Sequence, residues 1–492
     1  MTADAAPVAP TAPATRLLLF ALLGFSAGLP YYMFSTVLSA RLTTHDVDLV
    51  IIGFFGWVQL LPTFKFAWAP LLDRYAVPGL GRFFGKRLGW IIVAQLGIFL
   101  SMVAMAFTSG DASLPITALS AVLLAFWTTT LEIAADAWRI ELAPTPAEQG
   151  PLVAANLWGY RSAMVAAGSG ALIVADHASW TWAYLAIAAA AFLPLPILTS
   201  MRREPDGRGT RGGALSTGLG AAAAILGGSL VAVAIVGSVI LGLASAAGVG
   251  ARTDATRAVL IVWLLPFVAM AAALPWIVRL PATAYARRST VFGPYIDIFW
   301  RFGYRALPIL GFVTFYRMGD VLTLALSKPL QIAAGYDLTT MGIADGAVAL
   351  PASMAGVAIG AWLTVRLPLL WALAIGAVGS AFGNWIFVWL WYAPSADHVI
   401  YIATALDQFA HGLEGAVFVV YLSMLVNPRY PAAQYAFLSG FAFLLPRLLA
   451  GAGGSIQKQI GWDGFFTLSG TLSLAAILFL PLIARASPRS DP

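Results

Sequence analysis

The stretch Trp127-Thr-Thr-Thr-Leu-Glu-Ile-Ala-Ala-Asp-Ala-Trp-Arg-Ile-Glu141 sets two carboxylates inside a run that otherwise reads as a membrane-spanning helix. Glu132 and Asp136 stand four residues apart, which at about 100° per residue puts them on one helix face, one turn apart. An acidic side chain near the bilayer centre costs about 2.5–3.5 kcal/mol on insertion scales, so the pair must face protein or water rather than lipid. It fits two readings: a proton or substrate relay lining a central cavity, or a buried structural pair neutralised by an arginine.

Working outward, the whole chain supports the membrane reading. Of its 492 residues, 60% are hydrophobic and only 10% charged, where a soluble chain carries about 25% charged residues. The apolar runs are long and contain scattered Gly and Pro, whereas a membrane β-barrel shows short alternating segments. The fold class is therefore an all-α polytopic membrane protein. With no cysteine, disulfides, thiolate metal sites and cysteine nucleophiles are excluded. The four histidines, His45, His177, His398 and His411, show no metal-ligand spacing, so no metal and no cofactor are expected. Residues 1–15 lack a basic n-region and read as a disordered cytoplasmic tail.

Apolar runs of spanning length lie near 17–40, 49–72, 88–108, 114–138, 152–175 and 180–200 in an N-terminal six-helix half, 16–201. A basic cytoplasmic loop at 202–217 precedes an extra helix pair within 218–280, near 218–247 and 257–280. A basic and interfacial linker at 281–304 contains an aromatic amphipathic segment, Tyr295 to Tyr304. The C-terminal half, 305–485, has spans near 306–328, 340–365, 369–392, 399–426, 432–455 and 463–484, and 486–492 is a cytoplasmic tail. That makes about fourteen spans. With both termini cytoplasmic, nineteen Lys and Arg, Arg139 among them, fall on inner segments and only Arg41, Arg252, Arg257 and Lys458 on outer ones.

The halves also echo each other. Leu23-Gly-Phe25 returns as Leu310-Gly-Phe312, Asp48-Leu-x-x-Ile-Gly53 as Asp337-Leu-x-x-Met-Gly342, Leu131-Glu132 as Leu413-Glu414, and Leu157-x-Gly-Tyr160 as Leu438-x-Gly-Phe441. Four matches at nearly constant offset point to parallel repeats of the kind found in major facilitator transporters.

Asp407 and Glu414 are seven residues apart and share a face, and the repeat sets Glu132 and Glu414 at equivalent positions, so two acidic faces can oppose each other across a cavity. Arg161 and Arg317 are the natural counter-charges, or they bind substrate carboxylates through paired hydrogen bonds. Lys65 lies where its stem can reach the interface or a ligand. Trp57, Trp127 and Trp158 are candidates for stacking on a sugar ring; their alternative is packing. After the second span, Asp73-Arg74-Tyr75 followed by Arg82, Lys86 and Arg87 can latch the halves on the cytoplasmic side, or serve only as topogenic charge.

Six motifs carry a resemblance: Gly24-Phe-Ser-Ala-Gly-Leu-Pro30, Phe64-Lys-Phe-Ala-Trp-Ala-Pro-Leu-Leu-Asp-Arg-Tyr75, Asp136-Ala-Trp138, Gly159-Tyr-Arg161, Tyr316-Arg-Met-Gly-Asp320 and Gln434-Tyr-Ala-Phe-Leu-Ser439. Together they resemble the AmpG family of muropeptide permeases through both halves. The resemblance implies a proton-driven importer of GlcNAc-anhydromuramyl peptides in the bacterial inner membrane, serving cell-wall recycling and having fourteen helices. The chain departs from the family in reading Leu131-Glu132 for Gln-Asp and Arg139-Ile-Glu141 for Lys-Thr-Asp, and in Glu414 at a position expected to be small. Another anionic cargo, such as acetyl-coenzyme A, a siderophore or an oligosaccharide, is the alternative. The expected proton-coupling set is Glu132, Asp136, Asp320, Asp407 and Glu414. No nucleophile–base pair or nucleotide-binding motif accompanies them, so the chain does not read as an enzyme. A monomer is expected, with lipid, protons and a small-molecule solute as partners and no nucleic acid.

Overall fold

The structure, a computed structural model, describes residues 14–35, 37, 38, 41, 42, 56–108, 114–200, 268, 271–281, 284–289, 292–336, 338–393, 396–451 and 453–484. Among the described residues every regular element is helical, and nine helices are long and apolar enough to cross a membrane. The expected loop at 202–217, most of the extra helix pair, residues 1–13 of the first expected tail and the whole of the second lie outside the described residues, as does the repeat motif beginning at Asp48, while Ala14 and Thr15 of the first tail are helical.

The N-terminal group opens with α1 (Ala14–Met33), followed by a 3₁₀ segment (Gly56–Ala67) that runs into α2 (Ala69–Arg74) and the short α3 (Leu80–Phe84). Next come α4 (Lys86–Ala106) and α5 (Leu114–Leu142). Helix α6 (Pro146–Val165) continues through a π turn at Ala166–Gly170 into α7 (Ala171–His177), and α8 (Trp180–Ala191) and α9 (Pro194–Ser200) follow. Helix α6 starts earlier than its apolar run because Thr145 and Glu148 form a reciprocal capping box, with Pro146 in the first turn. At 29 residues, α5 is about 43 Å long, more than the hydrocarbon thickness. Its Thr128, Thr129 and Thr130 hydroxyls donate to carbonyls one turn back, which satisfies them within the helix.

In the C-terminal group, α10 (Tyr285–Arg288) and α11 (Gly293–Phe302) precede α12 (Ala306–Ala333). Helix α11 buries Ile298, Phe299 and Phe302, as its one-sided apolar pattern requires. Then α13 (Leu338–Ile343) passes through a π turn at Ala344–Val348 into α14 (Ala349–Arg366). The remaining elements are α15 (Leu369–Tyr392), α16 (Asp397–Leu425), α17 (Pro431–Gly451), α18 (Gly453–Ala475) and α19 (Leu480–Ala484).

Within the first group α1 packs on α6, and α4 on α5 and α8; within the second, α14 packs on α16, α15 on α16 and α18, and α12 on α17 and α18. Small residues allow the closest of these contacts: a side chain at Gly24 would strike the Asn156 carbonyl, and one at Gly159 the Ala21 carbonyl, so α1 and α6 meet backbone to backbone. The groups join where α6 meets α14 and α16, and where α17 meets α5 and the 3₁₀ segment. Ala432, Ala433 and Ala436 of α17 belong to the N-terminal core, and Val153 of α6 packs with Val357, Ala416 and Val420. Leu100, Ile116, Trp362, Phe382 and Leu478 face outward, as lipid contact demands.

Candidate functional site

A cleft runs between the two groups. Its inner chamber, of about 410 Å³, is lined by Tyr31, Tyr32, Lys65, Glu132, Tyr160, Arg161, Arg317, Asp320, His411, Tyr435 and Arg447, among others. An outer chamber of about 490 Å³ shares Tyr32, Arg161, Met164, Asp320, Leu324 and His411 with it and extends past Asp407 to Lys328 and Asp345. A smaller chamber, about 140 Å³, adjoins Glu132 on the other side and holds Asp136, Arg139 and Asn156. Tyr435 borders both it and the inner chamber.

On the N-terminal side, the 3₁₀ segment carries Lys65 to 4.0 Å from Glu132 on α5, and the Lys65 ammonium lies 5.8 Å from the centre of the Tyr435 ring. Asp136 is paired within its own helix, at 3.1 Å from Arg139. That arginine is buried: it donates to Gln149 on α6 and, at 3.0 Å, to Ser423 on α16. It thus ties three helices and both groups.

The C-terminal charges are arranged differently. Arg317 on α12 pairs with Asp320 at 3.1 Å and with Glu414 on α16, and His411 Nδ1 lies 3.2 Å from the same Asp320 oxygen. The other Asp320 oxygen accepts from Ser380 at 2.5 Å and Asn384 at 3.4 Å, and both of these also bond Ser473. Glu414 is wholly buried and does not line the cleft, so the expected opposition of Glu132 and Glu414 across the cavity does not form. Helix rotation explains this: Gly412 and Gly415 face the inner chamber, which turns Glu414 toward α12.

At one end of the cleft the groups are closed against each other. Arg87 Nη2 meets Asp73 and Glu141, each at 2.8 Å, and Lys86 donates to the Asp73 carbonyl at 2.7 Å. The Asp73 carboxylate accepts from the backbone amides of Ala432, at 3.0 Å, and Ala433, at 2.8 Å, at the start of α17. Asp73 therefore caps a helix of the opposite group, satisfying amides that a helix start leaves unpaired. Nearby, Asp297 accepts from Arg301, Gln434 and Asn427, fastening α11 to the turn between α16 and α17. Tyr295 of α11 donates to the Phe66 carbonyl across the group boundary.

The anhydromuropeptide permease of Escherichia coli is 26% identical over 473 residues, covering 95% of this chain and 79% of that one. The putative transporter AmpG 4 of Rickettsia conorii is 26% identical over 466 residues, covering 94% and 95%. The sequence is thus similar to those of AmpG permeases. No protein-family model matches it. Among solved structures, the proton:xylose symporter XylE superposes with a TM-score of 0.62 at 14% identity, covering 96% of each chain. The human organic anion transporter MFSD10 gives 0.57 at 13% identity, covering 95% of this chain and all of that one. The fold is that of the major facilitator transporters, and the chain is a multi-pass membrane protein whose similar proteins are named as permeases and transporters.

Against that frame of relatives, the candidate residues separate into groups. Lys65, Glu132, Arg161, Arg317 and Asp320 meet at the inner chamber, and Asp407 lines the outer one. Trp127 packs over Gly97 between α4 and α5 and lines neither chamber. Trp158 is partly exposed and donates to the Met354 carbonyl at 2.9 Å, joining α6 to α14. The side chains of Trp57 and Arg82 lie outside the described residues, and Arg74 is exposed, 5.7 Å from the Tyr75 ring centre. Sequence reasoning passed over His411, Tyr435, Ser380, Asn384 and Ser473. His411 had a signal, since Asp407, His411 and Glu414 follow a helical i, i+4, i+7 spacing.

Proposed function

We propose that this transporter imports anhydromuropeptides, GlcNAc-anhydromuramyl peptides, with protons across the bacterial inner membrane for cell-wall recycling. The observation that carries the reading is the cleft, where a loosely paired carboxylate, Glu132, faces an arginine-rich surface beside six aromatic residues, Tyr31, Tyr32, Tyr160, Phe418, Tyr435 and Phe443. Aromatic faces suit a sugar and cations suit its acid groups, while the names of the relatives supply the class of cargo. Glu132 takes up the proton from the cleft and Asp136, on the same face toward the latch, releases it. Asp320, Asp407 and Glu414 complete the ionisable set, with Arg317 holding two of them.

The structure's closed end, at Asp73, Lys86 and Arg87, is read as the cytoplasmic side, because the bias in basic residues places it and both termini inside. The cleft then faces outward, ready to load. Rocking of the two six-helix halves would break the Asp73 cap and open the inner side. The chain works as a monomer in lipid, and the extra pair within 218–280 sits between the halves in sequence.

Uptake of labelled GlcNAc-anhydromuramyl peptide into vesicles tests this. A proton ionophore abolishes accumulation, and unlabelled GlcNAc-anhydromuramic acid competes. Competition by acetyl-coenzyme A or an iron chelate alone would replace the cargo, and accumulation indifferent to the ionophore would remove the coupling.

A further inference from the structure

Among the described residues, two opposite charges in the cleft have no counter-charge within 4 Å. Arg161, on α6, has no carboxylate within 4 Å among the described residues; its one hydrogen-bonding partner is the Met164 sulfur, at 3.9 Å. Asp407, on α16, has no cation within that distance among the described residues and accepts only from its neighbour Gln408, at 2.9 Å. Both line the outer chamber, from opposite groups, and each lies in the other's electrostatic field. The other cleft charges differ: Glu132 has Lys65, Asp320 has Arg317 and His411, and Asp345 has Lys328 at 2.6 Å.

A charge withdrawn from bulk water and left without a partner costs several kcal/mol, so such positions persist where a ligand supplies the missing charge. A cation and an anion facing one chamber from two sides call for a ligand with an acid group and an amino group. Neither a neutral sugar nor a simple anion satisfies both.

We propose that Arg161 and Asp407 form a subsite for a zwitterionic amino-acid group, with Arg161 holding a carboxylate and Asp407 an ammonium group of the transported solute. The subsite rests on the sugar-peptide reading of the cargo and assigns it a peptide with a free amino group. Because α6 and α16 belong to different groups, a ligand held at both ends draws the two halves together over itself, which binds recognition to closure. When no ammonium is present, a proton can hold the same carboxylate, so Asp407 keeps its place among the ionisable residues.

The test titrates the purified full-length protein with three probes: a GlcNAc-anhydromuramyl tripeptide ending in a diamino acid with a free amino group, its N-acetylated form, and the peptide-free disaccharide. N-acetylation is expected to weaken binding about tenfold or more, as loss of a charge-assisted hydrogen bond does. Asp407→Asn removes that preference, and Asp407→Glu, which keeps the charge, retains it, separating recognition from damage to the fold. Arg161→Gln weakens both peptides relative to the disaccharide but leaves the response to N-acetylation. Equal affinity of the wild type for the free and acetylated peptides overturns the subsite, and with the disaccharide still bound it leaves the cargo reading standing. Loss of all three interactions in the wild type would sink both.

Discussion

The two halves solve one problem, how to keep carboxylates inside a membrane, in opposite ways. In the N-terminal half Glu132 has one partner, Lys65, at 4.0 Å, and its side chain retains 25% exposure to the cleft. In the C-terminal half Asp320 is held by Arg317, His411, Ser380 and Asn384, while Glu414 is sealed against Arg317 with no exposure at all. A carboxylate that keeps water and a loose partner can change protonation without dismantling its surroundings. One that anchors a network of buried hydrogen bonds does so only at the cost of that network, because each lost bond leaves another buried group unsatisfied. On the proposed mechanism Glu132 is therefore the titrating side and the Arg317 network the frame.

Removing the cation on each side tests that contrast most severely. Arg317→Met strands Asp320 and Glu414, and the expected loss is about 3–5 kcal/mol, seen as a collapse of folded yield and of thermal stability in detergent. Lys65→Met should cost no more than about 1 kcal/mol, since its pair is long and partly hydrated. Comparable losses at the two sites would erase the distinction between frame and titrating side.

Next in size is a functional effect without a structural one. Asp136→Asn keeps the volume and much of the hydrogen bonding to Arg139, but cannot ionise. It should insert normally and exchange substrate between equal concentrations, while accumulation against a gradient disappears. Wild-type accumulation by this variant would reject a coupling role, and failure to insert would return Asp136 to the structural reading.

The latch offers a smaller effect. Asp73→Ala removes the cap on α17 and leaves Arg87 with Glu141 and the Leu72 carbonyl, an expected cost of about 2 kcal/mol to the closed end. Since the chain has no cysteine, a single cysteine placed at Ala436 can report opening by its rate of thiol labelling, which should rise in the variant. An unchanged rate would mean that the closed end does not depend on the cap. Smallest of all, Trp158→Phe deletes one hydrogen bond between the groups, to the Met354 carbonyl, and should lower the thermal midpoint by the equivalent of about 1 kcal/mol. A larger loss would make this α6–α14 contact a principal joint between the halves.

Much of this was legible in advance, and for a definite reason. Bilayer thickness and helical pitch are fixed quantities, so apolar runs of spanning length, the shared face of Glu132 and Asp136 and the amphipathic segment that became α11 all follow from residue order. The grouping of Asp73 with Lys86 and Arg87 was likewise readable, being local across one turn between helices. Which charge neutralises which was not. Pitch says that two residues share a face but not how far that face is rotated about the helix axis, and rotation here is set by packing of helices far apart in sequence. That is why Glu414 turned away from the cleft toward Arg317, why Arg139 became a buried tie to Gln149 and Ser423, and why Asp73 reached Ala432 and Ala433. The sequence alone determined the membrane-spanning helices and the carboxylates they carry; only the tertiary structure decided their partners, because long-range packing sets helix rotation and the few ångströms that separate a paired charge from one left facing the cleft.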